Sequence, residues 1–306
     1  MARFDFVQMD VFSREPGMGN ALAVVLRGHT LSDRAMQSLA RWMRLPETTF
    51  TGPADDTGKA PASCYAIRMF APDKEVPFAG HPSVGTAAAL LDADLLTPDA
   101  DGLVWQQGLA GLLPLRVEHL QDPNQRVISL RNPPANEIEG AAVTHRDQLT
   151  AATTGLAPGA MAPVLAEGGR RWWLVQAASE AALRQWSPAW DGIVELAVAS
   201  GSMGICAFAF ADDADSGYQV VTRALVGHPQ PFEDAASGAA NAILASILFR
   251  HAAEHLPATG YIVSQGREIG YDAQLYLSPG ADGAIWSGGQ TRTAIRGSID
   301  WDAAAP

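Results

Sequence analysis

The stretch PFAGHPSVGTAAALL, residues 77–91, joins a Gly-His-Pro turn to a run of small and apolar residues. Pro82 suits the first position of a helix, where its missing N–H group costs nothing. The backbone N–H groups at such a helix start form a ready-made anion site. Because residues 84–91 carry no charge and form no polar face, other elements should surround them. We therefore predict a buried central helix over residues 83–91.

A second copy of this pattern, PFEDAASGAANAIL, occupies residues 231–244. In each half a helical pattern, a strand-like run and a second strand-like run precede the Pro-Phe turn. A repeat of about half the chain is the right size for two domains. We predict domains over residues 1–124 and 125–306, divided at the QDPNQ break, with the last strand able to pack back on the first domain. The second central helix is expected over residues 238–250.

Composition and charge limit the possible functions. The chain has 306 residues, 47% of them hydrophobic and 18% charged, which is enough for two ordinary cores. Its formal net charge of −12 argues against nucleic acid or anionic membrane as a partner, because both require basic patches. Neither a signal peptide nor a membrane-spanning run is evident, so we expect a cytoplasmic protein. Cys64 and Cys206 are expected to be reduced core residues.

Several residues that suggest a cofactor or a metal lack the rest of the pattern. The Gly17-Met-Gly19 turn precedes a strand-like run, whereas a dinucleotide fingerprint requires a helix there. His251 and His255 have chelating spacing without a nearby third ligand. Lys59 and Lys74 lie in polar segments that do not provide the desolvated setting a Schiff base needs. We expect neither cofactor nor metal.

Glu47 is the first candidate for chemistry, because it places a carboxylate where a predicted helix passes into a strand in LPETTF, residues 45–50. From spacing alone, an exposed loop charge or a partner for a neighbouring backbone N–H group is the simpler interpretation. For His81 the alternative is a turn histidine bonded to nearby backbone, and for Asp234 it is an N-cap of the second central helix.

Spaced motifs along nearly the whole chain carry a resemblance to a known family. They are Asp10-Val-Phe, Gly19-Asn20, Leu45-Pro-Glu47-Thr-Thr-Phe50, Phe78-Ala-Gly-His81-Pro, Glu233-Asp234, Ser237-Gly238, Gln265-Gly266 and Gly288-Gly289. Together they resemble the phenazine-biosynthesis isomerase family (PhzF-like). The resemblance implies a diaminopimelate epimerase-like α+β fold, in which two pseudo-symmetric domains each wrap a largely antiparallel sheet around a central helix. It also implies that both helix N-termini face one cleft, and that the protein is a homodimer acting on a small molecule.

The family is cofactor-free, and the resemblance assigns roles to individual residues. Glu47 matches the carboxylate that moves a proton between carbons, and burial in a cleft should raise its pKa. Gly80 and His81 match residues that hold developing negative charge, and Asp234 matches a carboxylate that positions a substrate amine or hydroxyl. The residues expected to bind substrate are Asn20, Pro46, Gly80, Ser237, Gly238 and Ala239.

The chain departs from the family at the site itself. Pro46 and Ala239 stand where the family commonly has serine, and Ala235 stands where it has proline. We therefore expect the substrate to be a small, secondary-metabolic compound other than 2,3-dihydro-3-hydroxyanthranilate. Two other functions stay open: an epimerase or racemase on a small amino or hydroxy acid, and a catalytically silent binding protein. The two-cysteine type of epimerase places thiols at the helix starts, where this chain has Gly80-His81 and Ala236-Ser237.

Overall fold

The computed structural model describes residues 1–54, 61–120, 125–213 and 215–303. The chain divides into two compact units: unit 1 comprises Met1–Arg131 with Gly288–Pro306, and unit 2 comprises Asn132–Ser287. The boundary predicted after residue 124 borders residues 121–124, which are outside the described residues. Residues 125–131 and 288–306, which lie within the second predicted domain, are part of unit 1.

Unit 1 begins with two strands and a helix and continues as a series of hairpins around a second helix. Its elements are β1 (Ala2–Val11), β2 (Asn20–Leu26), α1 (Asp33–Met43), β3 (Glu47–Pro53), β4 (Cys64–Phe70), β5 (Glu75–Val76), α2 (Gly80–Asp92), β6 (Leu103–Gly108), β7 (Gly111–His119) and β8 (Arg126–Asn132), which extends one residue past the division.

Unit 2 contains more helices before its own central helix. Its elements are β9 (Asn136–Glu137), α3 (Ala141–Thr144), α4 (Arg146–Ala152), β10 (Val164–Glu167), β11 (Arg171–Gln176), α5 (Glu180–Gln185), α6 (Trp190–Ser200), β12 (Gly204–Phe210), β13 (Val220–Val226), β14 (Phe232–Asp234), α7 (Gly238–His251), β15 (Tyr261–Gln265) and β16 (Ala273–Pro279). The strand β17 (Ile285–Gly289) crosses back to unit 1, where β18 (Thr291–Trp301) follows.

The same six strand pairings occur in the same order in both units. In unit 1, β1–β2, β3–β4, β4–β5 and β6–β7 are antiparallel, while β2–β3 and β4–β6 are parallel. In unit 2, β10–β11, β12–β13, β13–β14 and β15–β16 are antiparallel, while β11–β12 and β13–β15 are parallel. Helices connect both parallel pairs, as parallel pairing requires. The predicted internal duplication and the α+β fold class are confirmed.

Each unit contains one helix that is buried almost completely. In α2 every residue from His81 to Leu90 is buried, and the helix packs on β1, β2, β3 and β18. The small residues permit this close approach: a Cβ atom at Gly85 would lie 2.6 Å from Leu22 Cδ2 and 2.7 Å from Val11 Cγ2. In α7 the residues from Ala240 to Leu248 are buried against β11, β12 and β16.

The α1 helix covers the other face of the unit 1 sheet. Ser32 caps it, because its side chain accepts a hydrogen bond from the Ala35 N–H group at 3.2 Å. Met36 and Leu39 of α1 join Phe50 of β3 in one apolar cluster. The sheet of unit 1 therefore carries α1 on one face and α2 on the other, and the first turn of α2 meets the start of β3.

Two expectations need correction. Cys206 is buried in β12, but Cys64 is only half-buried, because it is the first residue of β4 and lies at the end of that strand. Pro82 is the third residue of α2, not the first. The earlier start costs nothing, because none of the first four N–H groups of a helix has an acceptor within the helix.

Candidate functional site

Glu47 is the first residue of β3, and strand geometry turns it toward α2. Residues two apart in a strand point to the same face. Thr49 shows which face this is, because its Oγ1 atom lies 2.8 Å from Oγ1 of Thr86 in α2. The side chain of Glu47 is 18% exposed, so the carboxylate is largely covered but reachable.

His81, the second residue of α2, lies beside this carboxylate. Its Nε2 atom is 3.3 Å from Glu47 Oε2 and its side chain is 9% exposed. Burial lowers the pKa of His81 to about 3, and a hydrogen bond between the ring and the Ala21 backbone opposes this shift only in part. The imidazole is therefore neutral near pH 7. The alignment of Nε2 with the carboxylate is also not that of a hydrogen bond, so the pair is a carboxylate beside a neutral ring and not a salt bridge.

The first turn of α2 has no side-chain cap. Its N-cap residue is Ala79, which makes no side-chain hydrogen bond, and the helix starts at Gly80. Ser83 Oγ donates to the Ala79 carbonyl oxygen at 2.9 Å, which fixes the turn from below. The positive end of the helix dipole thus lies beside the Glu47–His81 pair.

Asn20 begins β2, is 4% exposed and follows a turn held by Asp10. The Asp10 carboxylate accepts hydrogen bonds from the backbone N–H groups of Gly17, Met18 and Gly19 at 2.5, 3.1 and 2.9 Å. A Cβ atom at Gly19 would lie 2.2 Å from the Val11 carbonyl oxygen, so only glycine fits. The Gly-x-Gly turn therefore binds a carboxylate of its own chain.

Asp10 is not among the site residues expected from the sequence. Burial raises its pKa, although the three backbone N–H groups oppose that shift. The sequence held a signal for it, since Asp10 stands in a strand immediately before a turn rich in glycine. Charged residues are rarely buried in a strand unless their hydrogen bonds are satisfied.

The predicted site residues of unit 2 gather at the start of α7. Asp234 ends β14, and its Oδ1 atom accepts the Ala236 N–H group at 3.3 Å. Ser237 is the N-cap, because its Oγ atom accepts from Ala240 N–H at 3.4 Å. The capping role considered for Asp234 thus belongs to Ser237. Gly238 is the first residue of α7 and Ala239 the second.

The two central helices can be compared residue by residue, because both start at glycine. His81 then corresponds to Ala239, and Ala79 corresponds to Ser237. Unit 1 has an imidazole where unit 2 has a methyl group, and unit 2 has a capping hydroxyl where unit 1 has none. The duplicated helix starts have therefore diverged in their chemistry.

Residues 9–298 match the family described as phenazine biosynthesis-like protein. The chain belongs to this family. A full-length relative, Antisense-enhancing sequence 1 of Schizosaccharomyces pombe, is 25% identical and covers 97% of this chain and 99% of its own. The trans-2,3-dihydro-3-hydroxyanthranilate isomerase of Pseudomonas aeruginosa is 45% identical over 85 residues, which are 28% of this chain and 29% of that protein.

A solved phenazine biosynthesis-like structure has the same fold. The PhzF family protein of Bacillus anthracis superposes with a TM-score of 0.78 over 98% of this chain and 99% of that one, at 19% identity. Several relatives are named as isomerases, among them the Pseudomonas aeruginosa protein, so at family level the chain is a member of an isomerase family. Among the described residues, no helix has the length and hydropathy needed to cross a membrane.

Proposed function

We propose that this protein is a cofactor-independent isomerase in which Glu47 moves a proton between carbons of a small substrate. The observation that carries this proposal is the 3.3 Å contact between Glu47 Oε2 and Nε2 of the buried His81. A protonated imidazole at that distance would hold the carboxylate ionised and weaken it as a base. Because His81 is neutral, Glu47 keeps its basicity and can act as base and then as acid.

The start of α2 can stabilise the negative charge that develops on the substrate. The Gly80 and His81 N–H groups belong to the first turn of a helix without a side-chain cap, where backbone donors and the helix dipole favour negative charge. His81 Nε2 is buried and makes no hydrogen bond within the described residues, so it can bond a polar atom of the substrate. The raised pKa of Glu47 remains a prediction, tested by the pH dependence of kcat/KM.

Asp234 is assigned the second carboxylate role, accepting a hydrogen bond from a substrate amine or hydroxyl. The assignment rests on the family resemblance and on a difference between the two neighbouring carboxylates, Glu233 and Asp234. Glu233 is bound by Arg223 through two hydrogen bonds of 2.9 and 2.8 Å, so its carboxylate is committed to the fold. Asp234 is the neighbouring carboxylate at the helix start.

The substrate is proposed to be a small compound other than 2,3-dihydro-3-hydroxyanthranilate, with a role in secondary metabolism. Pro46 and Ala239 lack the hydroxyl groups that are common in the family. Each hydrogen bond lost to a charged substrate group is worth about 1.5–3 kcal/mol, or roughly ten- to hundredfold in rate or affinity. Ala239 is only half-buried beside the helix start, so its methyl group can contact a bound molecule.

An epimerase that uses two thiols is the less favoured alternative. Cys64 and Cys206 lie in β4 and β12, whereas α2 and α7 start with other residues. Burial raises the pKa of the Cys206 thiol to about 12 and also raises that of Cys64. Neither thiol is set up as a base near pH 7.

The experiment is to incubate the purified protein in deuterium oxide with small cyclic amino and hydroxy acids and with trans-2,3-dihydro-3-hydroxyanthranilate. Mass spectrometry then measures deuterium incorporated at carbon. Glu47→Gln should lower the rate by roughly a hundred- to ten-thousandfold. Glu118→Gln, at a half-exposed carboxylate on β7, is the matched control and should leave the rate unchanged. Undiminished exchange in Glu47→Gln would remove this residue from the mechanism.

A further inference from the structure

The Gln265-Gly266 pair has no role in the chemistry above, yet the Gln265 side chain is completely buried at the end of β15. Its amide contacts four other residues. Nε2 donates to the Asp234 carbonyl oxygen at 2.7 Å, and Oε1 lies within hydrogen-bond distance of Ser237 N at 3.2 Å, Asn241 Nδ2 at 2.7 Å and Thr222 Oγ1 at 3.3 Å. The donors around Oε1 fix which end of the amide is oxygen.

These bonds close the turn between β14 and α7 at both ends. The turn runs from Asp234 to Ser237, and the single amide of Gln265 holds the carbonyl group of the first residue and the N–H group of the last. Asn241 adds a second brace, because its Nδ2 atom also donates to the Ser237 carbonyl oxygen at 2.8 Å. The Asp234 backbone is thus held by a hydrogen bond from the buried Gln265 side chain, while its carboxylate lies on the turn.

Gly266 provides the space that the turn needs. Its φ angle is +95°, and a Cβ atom there would lie 2.7 Å from the Ala235 carbonyl oxygen. A side chain would therefore push against the middle of the same turn whose ends Gln265 binds. Gln265 thus binds the turn through hydrogen bonds, and Gly266 allows the turn to lie close to the end of β15.

We propose that Gln265 is a positioning residue that sets the orientation of Asp234 and of the first N–H groups of α7 toward the substrate. This inference rests on the proposed function for the role of Asp234, but the contacts themselves do not depend on it. The requirement is specific: a side chain at this position must donate one hydrogen bond and accept others.

Gln265→Glu tests that requirement within one folded protein. The introduced carboxyl group has the same shape, and when protonated it can still donate to the Asp234 carbonyl oxygen. When ionised it cannot donate, and two oxygen atoms then face each other in a buried site. The neighbours Thr222, Asn241 and the β16 partner Ala273 carry no charge, so apart from Asp234 itself the introduced group is the one that titrates among these contacts.

The measurement is hydrogen exchange of the amides in residues 235–238, expressed as protection relative to intrinsic rates at pH 5 and pH 8. We expect Gln265→Glu to lose roughly tenfold protection at pH 8, the equivalent of one hydrogen bond, and to recover it at pH 5. Gln265→Met should lose it at both pH values. Gln219→Glu is the matched control. The Gln219 Oε1 atom accepts a hydrogen bond from the Ile262 N–H group at 2.9 Å, and a carboxylate oxygen can accept the same bond.

Two results would overturn the proposal. One is protection of the turn that is the same in wild type and in Gln265→Glu at pH 8. The other is a loss spread evenly over unit 2, including the middle of α7, because that describes general destabilisation. Since the readout needs no turnover, failure here is distinct from failure of the isomerase proposal.

Discussion

Thr49 Oγ1 and Thr86 Oγ1 lie 2.8 Å apart in a fully buried hydrogen bond between β3 and α2. Glu47 precedes Thr49 by two residues and His81 precedes Thr86 by five, so the bond joins the two elements close to the reactive pair. These two fully buried hydroxyl groups therefore help to fix the spacing of Glu47 and His81.

The first prediction concerns this bond. Thr49→Val and Thr86→Val should each lower the free energy of unfolding by about 1–3 kcal/mol, since each leaves a buried hydroxyl with fewer partners. Urea unfolding of both variants and of the double variant measures the coupling. We expect the double variant to lose about 1 kcal/mol less than the sum of the single losses. Strictly additive losses would show that the two hydroxyls do not bond.

The neighbouring Thr48 should behave in the opposite way. It is also fully buried, but its Oγ1 atom makes no hydrogen bond within the described residues. A buried hydroxyl without a partner costs free energy, so Thr48→Val should leave stability unchanged or raise it by up to about 1 kcal/mol. A loss equal to that of Thr49→Val in the same urea experiment would contradict this and indicate a bound water.

His81 predicts a specific pH dependence of stability. Its pKa is about 3 in the folded protein against an ordinary value of 6.5, so between these pH values the unfolded chain binds a proton that the folded protein does not. Stability contributed by the neutral ring is complete above pH 6.5 and falls as the pH drops toward 3. The slope approaches about 1.4 kcal/mol per pH unit in this window.

His81→Gln should remove this contribution, and the wild-type minus variant difference in unfolding free energy isolates it from other groups. Histidine NMR should also show the His81 ring neutral at pH 5. A ring that titrates near pH 6.5 would refute the burial argument.

Glu233 and Asp234 should respond differently to the same loss of charge. Both side chains of the Arg223–Glu233 pair are 5% exposed. Glu233→Gln should lower the free energy of unfolding by about 3–5 kcal/mol, because it leaves the guanidinium buried without its counter-charge. Asp234→Asn can still accept the Ala236 N–H group and leaves no buried guanidinium without its counter-charge, so we expect a smaller loss of stability together with a loss of turnover. Thermal unfolding and the deuterium assay would separate the two, and equal destabilisation would contradict the assignment.

The missing hydroxyl at residue 239 gives a prediction on specificity. Ala239→Ser should raise the rate with trans-2,3-dihydro-3-hydroxyanthranilate by roughly tenfold or more if the added hydroxyl bonds the substrate carboxylate. Ala242→Ser, three residues along the same helix, is the control. Fast conversion by the wild type, without improvement in Ala239→Ser, would show that this position does not select the substrate.

The sequence predicted the parts of the fold that depend on local pattern. The α7 helix begins at Gly238 as expected, and the duplication was visible from the two Pro-Phe turns. The expected helix start at residue 83 lies three residues after the observed start of α2, because the helical state of Gly80 and His81 depends on packing against β2 and β3 and not on propensity. The roles of Asp10 and Gln265 rest on hydrogen bonds to backbone groups 7 to 31 residues away, and spacing does not show such contacts.

The pairing of β18 with β1 has a consequence for how the protein is made. β18 is the outer partner of β1 over its whole length, and Ile299 and Trp301 pack against the α1 cluster. A ribosome releases residues 132–287, the whole of unit 2, before it releases this strand. Domains usually fold in the order of synthesis, N-terminal first. Here the half of the protein that is translated first is the half that is completed last.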